Sequence, residues 1–311
     1  MGKTAFMFAG QGAQAVGMGK ELADNFDCAA KTFDEASEAL GFDVKDMIFN
    51  GDAETLMITE NTQPTIVTMS VAALRVLEEK GVKADVAAGL SLGEYTAHIA
   101  SGSMKFSDGV KLVKKRGKYM QEEVPIGVGA MAAVIGLSQE DVIEACNVAS
   151  QMGVCSPANF NCPGQIVVSG EKAAVEKCCE IAKEKGAKRA MLMPVSAPFH
   201  CELLVGAGKK LAKELEDVVL YDMGIPVITN VTADYVPSKD DIKDLLVRQV
   251  SSSVRWEDSV RRMIADGVDT FVEIGPGKTL CGFLRRIDKS LTCCNVEDMA
   301  SLEKTLEILN K

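Results

Sequence analysis

The chain has 311 residues, 47% apolar and 25% charged, which is ordinary soluble globular composition with length for one large or two modest domains. A formal net charge of −10 argues against general nucleic-acid binding, so an anionic substrate needs a local basic patch. No apolar run reaches the roughly 20 residues of a membrane span.

The first elements follow in order. Residues 4–9 read as a buried first strand ending at Gly10-Gln11-Gly12. A dinucleotide fingerprint needs glycine where Ala15 stands, and a Walker loop needs one where Gln14 stands, so neither phosphate loop fits. The small residues suit a backbone N–H beside a nucleophile better. Residues 20–81 read as several helices, the best of them opened by Gln63-Pro64 and stopped by Gly81. A short apolar run, Val86 to Ala88, then leads into Gly89-Leu90-Ser91-Leu92-Gly93 and a helix from Glu94 to Ala100. This is strand, sharp turn and helix with serine at the apex, the G-x-S-x-G nucleophile elbow. The flanking glycines let strand and helix backbones approach, and the helix N-terminus aims free N–H groups at chemistry on Ser91. Ser107-Asp108 are expected to cap a helix from Gly109 to about Glu123, whose Lys111, Lys114, Lys115 and Lys118 read as a solvated face.

Residues 126–195 form a separate pattern. A strand at 130–135 and a helix from Ser138 to about Gln151 are followed by strands at 154–156 and 165–169, joined through a loop at 159–164. A helix at 171–185 and a strand at 187–195 complete a β-α-β-β-α-β ferredoxin-like unit. It interrupts an α/β, hydrolase-like, parallel-sheet body made of residues 1–125 and 196–311, and a cleft between the two is the natural ligand site. Beyond it lie an extended segment, Met193 to His200, held out of helix by Pro194 and Pro198, a helix at 201–216, a strand at 226–230, a helix at 240–250 containing Gln249, a helix at 256–265, and a strand at 270–274. That strand enters Gly275-Pro276-Gly277-Lys278-Thr279, where Val272 replaces the first glycine of a Walker loop, so nucleotide binding is rejected there as well.

A serine hydroxyl needs a base, and the chain has two histidines. His98 lies two turns beyond Ser91 on one helix, about 10.5 Å along its axis, out of hydrogen-bond reach. His200, on the proline-held segment, is left as the base. No sequence signal marks a triad aspartate. With only an Ala5 to Ala9 run near the N-terminus, no export signal is read, so the ten cysteines, none in a C-x-x-C, are expected as reduced thiols of a cytoplasmic protein. The two histidines lack metal-ligand spacing to them, and no metal is expected.

Assembled in order, Gly10-Gln11-Gly12, Gln63-Pro64, the elbow with Glu94, Lys115-Arg116-Gly117, Asn159-Phe160-Asn161, Pro194 to His200, Arg248-Gln249 and Glu273 to Lys278 resemble the malonyl-CoA:acyl-carrier-protein transacylase family of bacterial fatty-acid synthesis over nearly the whole length. The resemblance implies that Ser91 accepts the acyl group, His200 is general base and acid, and Gln249 orients His200 by its backbone carbonyl. It implies that Gln11 and Leu92 supply oxyanion N–H groups, that Arg116 grips the malonyl carboxylate, and that Gln63, Asn159 and Phe199 belong to the substrate site. A planar guanidinium can hold a carboxylate by two parallel hydrogen bonds, which lysine cannot. The implied reaction is ping-pong. Malonyl-CoA acylates Ser91, CoA leaves, and the phosphopantetheine thiol of acyl carrier protein takes the malonyl group, in a monomer without metal or redox cofactor. An acidic carrier protein calls for a basic rim, with Lys188-Arg189 and Arg285-Arg286 as candidates. Leu90 departs from the family's usual histidine, and Ser253 from its usual proline. Phe199 replaces a common small residue in a way that favours malonyl over methylmalonyl. The rival readings are a serine hydrolase or thioesterase with the same elbow, a freestanding polyketide-type acyltransferase, and a non-catalytic carrier-protein docking module.

Overall fold

The opening apolar run becomes the central strand of a parallel sheet. The computed structural model describes residues 2–195 and 197–310, with strands β1 (Lys3–Phe8), β2 (Val86–Gly89), β3 (Gly129–Ile135), β4 (Cys155–Cys162), β5 (Gln165–Glu171), β6 (Arg189–Leu192), β7 (Val227–Ile228), β8 (Val268–Ile274) and β9 (Thr292–Val296). The large sheet runs β7-β2-β1-β8-β9 with every pairing parallel. Parallel strands are covered on both faces, which is why Ala5 to Phe8 and Val86 to Gly89 are buried throughout. In chain order within the sheet the strands run third, second, first, fourth, fifth. That is a doubly wound arrangement, whose ligand crevice lies beyond the carboxyl ends of the strands.

The small sheet runs β4-β5-β3-β6, entirely antiparallel, with helices Gln139–Ala149 and Lys172–Glu184 closing their own apolar core against it. It is fastened to the body along β4. The Val254 N–H donates to the Ala158 carbonyl at 2.8 Å, the Phe160 N–H to the Val254 carbonyl at 2.9 Å, and the Ser253 hydroxyl to the Pro157 carbonyl at 2.6 Å. Ser253, which the sequence left without an effect, is one of these fasteners.

Several local expectations are corrected. The segment 159–164 is not a loop: residues 159–162 continue β4, Asn159 opposite Val167 and Cys162 opposite Gln165, leaving Pro163 and Gly164 to turn the hairpin. Asparagine is depleted in strands, but here pairing on both sides overrides that preference. The helix expected to open at Gln63 begins at Thr59, its first turn closed by the Thr62 N–H on the Ile58 carbonyl at 2.8 Å, so Pro64 stands inside it. The helix expected from Gly109 runs Phe106–Glu122 with Lys105 at its cap, so Ser107 and Asp108 lie within the first turn. The strand β9 and the helices Thr279–Ile287 and Met299–Leu309 had no counterpart in the sequence reading. Not all ten thiols are free. Cys281 and Cys293 form a disulfide across the helix Thr279–Ile287 and β9, whose Cα atoms stand 5.8 Å apart there. Ser196, inside the expected extended segment, lies outside the described residues. Among the described residues no helix is long and apolar enough to cross a membrane.

Candidate active site

Four neighbouring strands deliver the site at their carboxyl ends: β1 leads to Gly10-Gln11, β2 to Ser91, β7 to Thr229-Asn230, and β8 to Gly275. The elbow is as tight as its glycines require. A Cβ on Gly89 would sit 1.9 Å from the Gly93 carbonyl carbon, and one on Gly93 would sit 2.1 Å from the Phe8 carbonyl oxygen. Ser91 itself holds φ 52° and ψ −104°, a conformation a non-glycine residue keeps only when its surroundings impose it.

Asn230 imposes it. Its Oδ1 accepts from the Ser91 N–H at 2.6 Å and its Nδ2 donates to the Gly89 carbonyl at 2.7 Å, so one buried side chain grips both sides of the apex. Asn230 is held in turn by Glu94, whose Oε2 accepts from the Asn230 N–H at 3.0 Å and from Gln249 Nε2 at 2.7 Å. Burial pushes the Glu94 carboxyl above the usual carboxylate range, against the pull of these donors. Neither residue was singled out as functional from sequence. Glu94 reads as an ordinary helical residue, and Asn230 reaches Ser91 only because β7 lies beside β2.

His200 faces Ser91, with Oγ and Nε2 2.7 Å apart. Its Nδ1 lies 2.9 Å from the Gln249 carbonyl and 3.2 Å from the Ser252 carbonyl. Carbonyls only accept, so Nδ1 carries the hydrogen and Nε2 is left to accept from the serine hydroxyl. Two carbonyls fix the tautomer without an aspartate. Burial first, and the nearby Arg116 charge next, push the imidazole down to about 4. His98 plays no part in this arrangement: it is fully buried against the Ser103 hydroxyl at 3.0 Å.

Arg116, 1% exposed, packs over the Tyr95 ring and is anchored by Nη1 on Gln63 Oε1 at 2.9 Å and Nη2 on Gln249 Oε1 at 3.0 Å. The Gln249 amide is locked in that sense because its Nε2 already serves Glu94 and the Ser91 carbonyl. The same Nη2 reaches Ser91 Oγ at 3.1 Å, while the buried Arg116 Nε has no hydrogen-bond partner among the described residues. Its lysine neighbours stay on the surface, Lys115 pairing with Glu214 and Lys118 with Glu122.

Ser91, His200 and Arg116 line a cavity of about 930 Å³ between the two sheets, together with Gln11, Gln63, Leu90, Leu92, Asn159 and Phe199. Leu92 is the first residue of its helix, where an N–H has no acceptor within the helix. Gln11 donates from its side chain to the Thr59 hydroxyl at 3.5 Å. Of the basic candidates, Arg286 donates to Gln165, a cavity-lining residue, at 2.9 Å, whereas Arg285 lines a separate cavity of about 300 Å³. Arg189 opens β6 opposite Ile135. The Walker-like turn keeps its helix N-terminus occupied: Glu273 accepts from the Leu280 N–H at 3.0 Å and the Cys281 N–H at 2.8 Å, where a phosphate would have to bind.

The family model described as acyl transferase domain matches residues 5–304. The chain is similar to malonyl CoA-acyl carrier protein transacylase of Bacillus subtilis (strain 168), with 45% identity covering 100% of this chain and 98% of that one. It superposes on the crystal structure of malonyl CoA-acyl carrier protein transacylase from Clostridium perfringens with a TM-score of 0.97 and 49% identity, covering 99% and 97% of the two chains. A further solved relative is a type II PKS acyl-carrier protein in complex with its malonyl-transacylase, with a TM-score of 0.96 and 43% identity, covering 98% and 99%.

Proposed function

This chain belongs to the acyl transferase family, among the malonyl CoA-acyl carrier protein transacylases, and from that membership we propose how its own residues carry the transfer of a malonyl group to a carrier protein. The chain is an acyltransferase. Ser91 attacks the malonyl thioester while His200 Nε2 takes its proton, and the imidazolium returns that proton to the departing CoA thiol. In the second half His200 activates the phosphopantetheine thiol of the carrier protein, which takes the acyl group from Ser91. The N–H groups of Gln11 and Leu92 receive the oxyanion.

The observation that carries the reading is a single oxygen with two partners. Ser91 Oγ stands 2.7 Å from the base and 3.1 Å from the buried cation meant for the substrate's carboxylate. A malonyl carboxylate supplies the guanidinium with an acceptor beside Ser91, where Nη2 already points, and an acetyl group supplies none. Gln63 and Gln249 hold the guanidinium, while Asn159 and Phe199 shape the wall. The reading calls for no metal or redox cofactor, and it includes a monomer working in the cytoplasm with Arg286 on the docking rim. Intact-protein mass spectrometry after incubation with malonyl-CoA tests it. A single malonyl ester on the wild type, absent in Ser91→Ala and discharged by a carrier-protein thiol, is expected. Rapid loss of the ester to water without any thiol would favour a thioesterase instead.

A further inference from the structure

Three thiols with no part in acyl transfer converge inside the small subdomain. Cys146 lies on the helix Gln139–Ala149, Cys178 on the helix Lys172–Glu184, and Cys155 on β4. Their sulfurs all lie within 4.8 Å of one another, with Cys146 and Cys178 at 3.7 Å. A single buried cysteine is ordinarily a small apolar filler. Cys179 is that case, 6% exposed in the same core yet outside the group. Three sulfurs from three elements meeting at one point make a ligand set. A metal–sulfur bond of about 2.3 Å spaces three coplanar sulfurs about 4 Å apart, and a pyramidal complex brings them closer, so the 3.7 Å pair already has the required spacing.

Charge selects the ion. The surrounding cluster is built from alanine, valine, leucine, isoleucine and cysteine, and among the described residues no lysine, arginine or histidine of the segment 126–195 is buried. Three thiolates around a monovalent ion leave two negative charges there, and around a divalent ion one, and an apolar core strongly disfavours either. Zinc also wants a fourth ligand, which this group does not provide. A trivalent thiophilic ion leaves a neutral, three-coordinate complex that an apolar core accepts.

We propose that Cys146, Cys155 and Cys178 form a binding site for trivalent arsenic. It is taken up as arsenous acid, As(OH)₃: three As–O bonds break, three As–S bonds form, and the three thiol protons leave with the three hydroxides as water. No electron changes hands. Cys155, the most exposed of the three at 7%, is the point of entry, and local opening of the helix Gln139–Ala149 admits the ligand.

Sodium arsenite added to the full chain under a phosphine reductant tests this, in a Cys281→Ala background that removes the Cys281–Cys293 pair. Native mass spectrometry should show one arsenic per chain with three protons lost, together with a rise in Tm. Cys178→Ala and Cys155→Ala should each weaken the adduct by about tenfold or more, while Cys179→Ala leaves it intact. An adduct that loses fewer than three protons, one that persists unchanged in Cys178→Ala, or no adduct after prolonged incubation would each overturn the site. Should a variant fail to fold, the proton count on the parent chain still decides.

Discussion

Ser91 and Asn230 are 139 residues apart in the chain and are joined by a 2.6 Å hydrogen bond from the serine N–H to the asparagine Oδ1. The unusual backbone of Ser91 is thus held from the neighbouring strand rather than by its own turn. Asn230→Ala orphans the buried Ser91 N–H and Gly89 carbonyl together, a cost of about 2–4 kcal/mol in unfolding free energy. Denaturant unfolding reads that loss. At temperatures where the variant stays folded, malonyl-Ser91 formation should still slow by about 10- to 100-fold, since small misplacements of a reacting atom have that effect. An unchanged acylation rate would reduce Asn230 to a packing role.

Arg116→Ala removes the guanidinium proposed to hold the malonyl carboxylate. The kcat/KM for malonyl-CoA should fall by about 100-fold or more, the loss of two charge-assisted hydrogen bonds, while acetyl-CoA is transferred better than before. Parallel assays with the two thioesters check it, and equal losses on both would remove Arg116 from carboxylate recognition.

The pH profile carries a second signature of Arg116. General-base catalysis needs neutral His200, and burial with the Arg116 charge pushes its pKa down to about 4. The acid limb of kcat/KM, which reports the free enzyme, should therefore lie well below the ordinary histidine value of 6.5. A bound malonyl carboxylate cancels the Arg116 charge, so the limb of kcat should lie higher than that of kcat/KM. Arg116→Ala should move the free-enzyme limb upward too, because losing a nearby positive charge favours imidazolium. A limb near 6.5 that ignores the substitution would contradict this electrostatic picture.

Phe199 lines the cavity and packs on Met131, Ala158 and Val167 of the small subdomain. Phe199→Ala opens room for one more methyl group. Discrimination against methylmalonyl-CoA should drop by about 10- to 100-fold in the ratio of kcat/KM values, within what one methyl group is worth in a pocket. Competition between the two thioesters for Ser91, followed by mass, measures it.

What the sequence made legible follows physical range. The elbow is local: strand, glycines, serine and helix adjoin, and Gly89 and Gly93 stand where an added Cβ would strike backbone. Elimination among two histidines left His200, and the family resemblance put Gln249 behind it; Ser252 as a second carbonyl was not foreseen. Glu94 and Asn230 stayed hidden because their roles depend on which strands lie side by side, and a one-dimensional pattern does not carry strand order. The same limit explains the misread 159–164 segment, where β5 and Val254 impose extended structure on asparagines that prefer turns. The Cys281–Cys293 bridge likewise follows from the contact of β9 with a helix, and neither element had been anticipated.

The site is drawn from residues 91, 116, 200, 230 and 249, and synthesis delivers them in that order. A nascent chain exposes Ser91 early, yet Ser91 meets no imidazole until the small subdomain has been translated, no clamping Asn230 until later still, and no tautomer-fixing carbonyl until residue 249 has left the ribosome. The enzyme is therefore silent toward malonyl-CoA through most of its own production, and a fragment truncated anywhere before that point has a nucleophile in name only.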